Sequence, residues 1–160
     1  MPLLTPTYGD PVTVLASLDM YSNNALRNLA NGATRQGQVI DNSIARACDI
    51  RIYLQLLSVG YADGVIDLHL AGGNSYTLLS DGYSGNTLPS ASVVSPRYSQ
   101  HLVSLPISGS SELVWEGSLM AYLPSIPRFF ALVLSNHSGG ALNSSYAHKL
   151  DLTFVNYEYL

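Results

Sequence analysis

Serine, histidine and aspartate are the side chains from which this chain would have to build a reaction, and their spacing gives little to build with. Acyl transfer needs a serine whose proton an imidazole can take, and a carboxylate that orients the imidazole. Metal-assisted hydrolysis needs several His, Asp or Glu ligands converging on one ion. The four histidines, His69, His101, His137 and His148, fall on three strand-like segments and one loop, with none at metal-ligand spacing. They are expected to be structural or exposed. Gly82-Tyr83-Ser84-Gly85 is the nearest approach to a nucleophile elbow, yet it lacks the Gly-x-Ser-x-Gly spacing and lies in a polar stretch. Asp63 and Asp67 flank a glycine turn and Glu112 and Glu116 flank Trp115, with nothing that defines a cleft between either pair; solvation or capping is their expected role. No Gly-x-Gly-x-x-Gly, Gly-Lys-Ser/Thr or His-Glu-x-x-His occurs. The expectation is a protein that is not an enzyme, with no catalytic, cofactor-binding or metal-ligating residue.

Two smaller signals complete the chemistry. Asn136-His137-Ser138 and Asn143-Ser144-Ser145 match the glycosylation acceptor pattern, but no secretory segment opens the sequence, so the pattern is expected to go unused. The single cysteine, Cys48, forms no intramolecular disulfide and no thiolate metal site on its own. Its place in an apolar alternation predicts a buried small hydrophobe.

Composition narrows the function classes further. A chain of 160 residues is one domain's worth. Charged residues make up 11% and apolar residues 47%, where a typical soluble domain is about 25% charged. The exterior is therefore made of Ser, Asn, Thr, Gly and Tyr, and a surface so weakly charged is expected to be covered by neighbouring subunits. Seven basic and eleven acidic groups, with one lysine, Lys149, and no basic run, exclude a phosphate-backbone footprint. The apolar stretch at 129–134 is far shorter than the roughly 20 residues of a membrane-crossing helix. A soluble chain made in a cytoplasm is expected, with neither nucleic acid nor membrane as partner.

The elements that would position these groups are mostly strands. Residues 1–11 hold three prolines and a glycine, which suit neither a helix nor a central strand. They read as an extended arm that folds back on its own domain or lies on a neighbour, and Leu3, Leu4, Tyr8 and Pro11 are its candidate interface residues. Residues 12–160 read as one β-sandwich domain. Residues 17–31 suit either a short helix or turns, and Asp41 and Asn42 are placed to make side-chain turns. From Cys48 onward, Ile50, Ile52, Leu54 and Leu56 alternate with mostly polar residues, the pattern of a strand with one buried face. Residues 60–64 read as a turn, 65–70 as a strand, and 72–89 as a long irregular stretch, a length that in compact domains tends to be functional or disordered. Strands follow at 100–106 and 113–123, the latter running into a turn. The continuous apolar run 128–135 fits a strand covered on both faces, 137–143 is a loop, and 150–159 closes the chain as a strand. Six or seven strands with few helical windows predict an all-β, antiparallel β-sandwich, with room for one short helix.

Eleven tyrosines and one tryptophan remain to be placed. Tyr53, Tyr61, Tyr76, Tyr83, Tyr98, Tyr146, Tyr157 and Tyr159 are expected mainly to cover strand edges with their hydroxyls in water. Where they cluster, subunit contact is favoured over stacking on sugar rings.

Residues 38–43 (Gln-Val-Ile-Asp-Asn-Ser), the strand after Cys48, Trp115-Glu116-Gly117-Ser118-Leu119 and residues 135–144 (Ser-Asn-His-Ser-Gly-Gly-Ala-Leu-Asn-Ser), taken in order, resemble a group of small structural proteins of tailed bacteriophages. In that group an Asn-x-x-Gly-x-Ala-Leu-Asn-like loop tends to precede a final aromatic strand, which residues 136–159 look like. The resemblance covers residues 30–160 and departs from the group in its longer stretch at 72–96. It implies a virion structural protein of jelly-roll-like or related sandwich type, made in the host cytoplasm and held by subunit contacts, most simply a capsid decoration or cement protein. Its partners would be other copies of itself, as in a trimer, and the major capsid protein. A tail, neck or fibre-base component is the first alternative. A carbohydrate-binding module using residues 72–96 is the second.

Overall fold

The strongest period-two segment sets the architecture. In strand β5 (Asp49–Leu57), Ile50, Ile52, Leu54 and Leu56 are buried while the residues between them face outward. A face of four large aliphatic side chains needs a second layer to exclude water from it. The computed structural model supplies that layer and describes residues 4–16, 26–58, 63–84, 93 and 95–159. Beside β5 lie β1 (Leu4–Tyr8), β2 (Val12–Ala16), β8 (Glu112–Ser118) and β10 (Lys149–Tyr159), in the order β1-β10-β5-β8 with β2 also on β10. The opposing sheet holds β3 (Thr34–Gln36), β4 (Ile40–Asp41), β6 (Asp63–Gly73), β7 (Gln100–Ser108) and β9 (Phe129–His137), in the order β3-β9-β6-β7 with β4 also on β9. Every pairing among these strands is antiparallel. With β1 and β2 counted as one interrupted strand and β3 and β4 as another, this order is that of a jelly roll, as expected.

The core lies between the sheets. Ile66, Leu68 and Leu70 of β6, Leu102, Leu105 and Ile107 of β7, and Phe130, Leu132 and Leu134 of β9 pack towards β5 and towards Leu150 and Leu152 of β10. β9 is buried on both faces, as its continuous apolar run predicted. Its outer residues Phe129, Ala131 and Val133 form a second, smaller cluster with Val39, Ala71, Leu79 and Tyr83. The chain after β6 supplies that cover. It is pinned by the Gln36 amide, which donates to the Ser84 carbonyl at 2.7 Å and accepts from the Ser84 N–H at 3.3 Å.

Of the two courses expected for the arm, the backbone pairing is the fold-back one: Leu4 to Tyr8 pair with Tyr159 to Val155. Pro6 is accommodated because β1 is an edge strand, where a missing N–H can face away from the ladder. Other expectations are corrected. Cys48 is exposed, because the strand begins one residue later and Cys48 sits in the bend before it. Asp63 and Gly64 belong to β6 and not to a turn, and β6 runs on through Gly73, into the stretch read as irregular. Tyr83 is buried, where an edge tyrosine wetted at its hydroxyl was expected, because it seals the second cluster. An α-helical turn, Asn42–Ala45, falls where side-chain turns were expected. Asp41 caps it by accepting from the Ser43 N–H at 2.8 Å, and the Asn42 side chain accepts from the Ala47 N–H at 3.0 Å. Most of the ambiguous segment 17–31 lies outside the described residues, as do Leu3 and Tyr61.

Candidate functional site

Three histidines that are far apart in sequence meet on the outer face of the second sheet. Adjacent strands β7, β6 and β9 bring them there: Asp67 pairs with Ser104 on one side and Ser135 on the other, His69 pairs with His101, and Val65 pairs with His137. His101 Nε2 lies 3.6 Å from Asp67 Oδ1, and His137 Nε2 lies 3.9 Å from Asp67 Oδ2. The His69 and His101 rings stand edge to face with centroids 5.0 Å apart. Three histidines scattered in sequence are thus neighbours on one face, where His101 and His137 are exposed. Strand order, which no local pattern encodes, brings them together.

The arrangement contains serine, histidine and aspartate but is not wired for nucleophilic catalysis. The Ser104 hydroxyl donates to Asp67 Oδ1 and lies 3.0 Å from His101 Nε2. An ionised carboxylate only accepts, so the serine proton points at Asp67 and the imidazole must donate to Oγ. A serine nucleophile needs the reverse, with the imidazole as acceptor and the carboxylate behind it. Nor do the groups converge on one point, since the two imidazoles approach different oxygens of one carboxylate. Among the described residues no group of three or more His, Cys, Asp or Glu side chains is arranged to hold a metal ion.

The fourth histidine is structural. His148 is 1% exposed; its Nδ1 accepts from the Leu57 N–H at 3.3 Å and its Nε2 donates to the Asn143 carbonyl at 2.7 Å. Burial holds its pKa below the ordinary imidazole value, against a smaller upward pull from the Asn143 carbonyl. Burial, followed by the charge of His101, also lowers His69, whose Nδ1 is buried without a hydrogen-bond partner. For a base depressed in the folded chain, the unfolded chain binds more protons below the ordinary value, so stability falls as pH falls. The expected result is a melting temperature that is level above pH 6.5 and declines progressively below it. His148→Gln should flatten that decline, and a scan of thermal midpoints from pH 8 to about 5 checks both.

The outer face of the first sheet carries a cleft of about 380 Å³ lined by Tyr8, Arg51, Tyr53, Glu116 and Thr153, together with Ile52 and Gly117. It crosses β1, β10, β5 and β8 in register, with Arg51 opposite Thr153 and Tyr53 opposite Glu116. Aromatic faces beside planar charged groups and a hydroxyl suit a polyhydroxylated ligand. Nothing in sequence spacing signals it, because its residues come from four strands. Of the arm residues singled out as an interface, Tyr8 is 60% exposed on the rim of this cleft and Pro11 is exposed, while Leu4 is committed to β1.

Comparison with protein-family models, curated proteins and solved structures finds no match to this chain.

Several other polar groups tie the fold together. Asp49 accepts from the Ser118 hydroxyl and from the Met120 N–H. Asp81 gathers the N–H groups of Tyr98 and Ser99. Glu112 accepts from Gln55 at 2.6 Å and from the Tyr146 hydroxyl, which holds its carboxyl below the usual range. Ser84, the elbow-like serine, anchors the covering segment through its backbone. Asn136 is fully buried, which closes that glycosylation acceptor in the folded chain. Among the described residues no helix is long and apolar enough to cross a membrane.

Proposed function

We propose that the chain is a structural protein of a bacteriophage virion, acting by contact with other protein copies, and that its place is on the capsid as a decoration protein. The observation that carries this reading is how the exterior is composed. Asp41, Asp49, Asp81 and Glu112 are engaged in internal hydrogen bonds, while Tyr8, Leu78, Tyr98, Val114 and Tyr157 are each at least half exposed. With few free charges to keep copies apart, such surfaces favour association. The resemblance of residues 30–160 to phage structural proteins supplies the setting. The jelly-roll order agrees with it by analogy only, since that fold serves capsid proteins and lectins alike.

Mechanically, copies bridging neighbouring shell subunits would bury apolar area worth about 25 cal/mol per Å² and so resist internal pressure. The test is to purify particles of the phage that encodes the chain and to count its copies by quantitative mass spectrometry. Hundreds per particle are expected on the capsid reading; a dozen or fewer would move it to the tail or neck, and none would overturn the virion reading.

The cleft at Tyr8 and Tyr53 favours a second reading, a module that binds host-surface sugars. A glycan array then returns ligands that Tyr53→Ala loses, and an array without binders removes this reading.

A further inference from the structure

We propose that the outer edge of β8 is where a second copy of this chain adds its own β8, joining two five-stranded sheets across a two-fold axis. This rests on the reading of the chain as a self-associating structural protein and names the surface involved. An edge strand presents the N–H and C=O groups of alternate residues on its free side, a template that only another strand completes.

Folded proteins blunt such edges, and this sandwich blunts three of its four. The N-terminal edge carries Pro6 in β1 and a register shift where β2 meets Leu150 and Asp151. The β3 and β4 edge is made of pieces three and two residues long. β7 carries Pro106 and a register shift beside Leu68 and His69. β8 has none of these devices. Its seven residues pair with β5 in unbroken register, without proline, lysine or bulge, and among the described residues no strand pairs with its other side. Val114, at its middle, is 52% exposed, and Met120 just beyond its end is 42% exposed.

The charge pattern of β8 selects one way for it to pair with itself. In an antiparallel pair centred on Trp115, Val114 lies opposite Glu116 of the second copy, Leu113 opposite Gly117, and Glu112 opposite Ser118, so no like charges meet. Centring the pair on Val114 sets Glu112 against Glu116, and centring it on Glu116 sets that residue against itself. Like charges directly opposite one another destabilise a strand pair. Among the registers that pair five or more residues of β8, the one centred on Trp115 alone sets no like charges opposite one another.

Sedimentation velocity on the full chain over a wide concentration range tests this. The wild-type chain should form a dimer. Val114→Glu, made at an exposed position and checked for unchanged thermal stability, should weaken dimerisation by about tenfold, because it faces Glu116 twice across the axis. Adding Glu116→Lys to Val114→Glu should restore the dimer. Self-association that Val114→Glu leaves intact overturns the β8 edge while the structural-protein reading stands. Weakening without rescue overturns the register centred on Trp115. A monomer at every concentration overturns both the edge and the self-association on which it rests.

Discussion

Asn136→Ala is expected to destabilise the sandwich by about 3–4 kcal/mol, a large effect for an amide that touches no ligand. Asn136 is 0% exposed. Its Nδ2 donates to the Leu29 carbonyl at 2.7 Å and to the Gly140 carbonyl at 2.9 Å, and its Oδ1 accepts from the Ser138 N–H at 3.0 Å. Truncation leaves the three partners unequally placed. The Leu29 carbonyl keeps the Leu142 N–H, and the Gly140 carbonyl keeps the Ser138 hydroxyl. The buried Ser138 N–H loses its acceptor. An orphaned buried donor costs about 1–3 kcal/mol and each further lost bond about 1. Asn136→Asp should be worse than Ala at neutral pH, since it sets a buried carboxylate against two carbonyl oxygens and removes both donors. Urea unfolding with unchanged slope and a lowered midpoint checks the first variant; a midpoint within error of wild type would show that the loop does not depend on this side chain.

Phe130→Ala should cost about 3–5 kcal/mol, a third or more of the stability of an ordinary domain. Phe130 is the largest fully buried side chain among the described residues and sits in the main core, between Ile40 of β4 and Gly72 of β6 on the neighbouring strands. Gly72 has no side chain with which to fill the space the ring would vacate. Phe130→Leu keeps most of the volume and should lose well under half as much. At roughly 2–4 °C per kcal/mol for a chain of this size, calorimetry separates the two variants by several degrees.

How much of this could be read from sequence follows from what local patterns encode. The alternation of β5, the two-faced burial of β9 and the strand ending in Tyr157 and Tyr159 are periodicities of burial, and they were legible. Strand order is not a periodicity. The meeting of His69, His101 and His137 at Asp67, and of Tyr8 with Tyr53 and Glu116, depends on which strands are neighbours, so neither cluster could be found by spacing. The exposure of Cys48 was missed because a period of two has no marker for the residue at which a strand begins. The burial of Leu79 and Tyr83 was missed because a polar stretch gives no sign that two of its members seal a neighbouring sheet.

One pairing has a consequence for how the chain comes to be folded. β10 is the hydrogen-bonded neighbour of β1, β2 and β5, so Leu4 finds its place only beside Tyr159. Contacts of such sequence separation slow folding and cannot form while the last strand is still being synthesised. The first sheet therefore stays incomplete until residues 149–159 have emerged from the ribosome. Removal of residues 149–159 by a premature stop would strand three partners at once instead of trimming one edge.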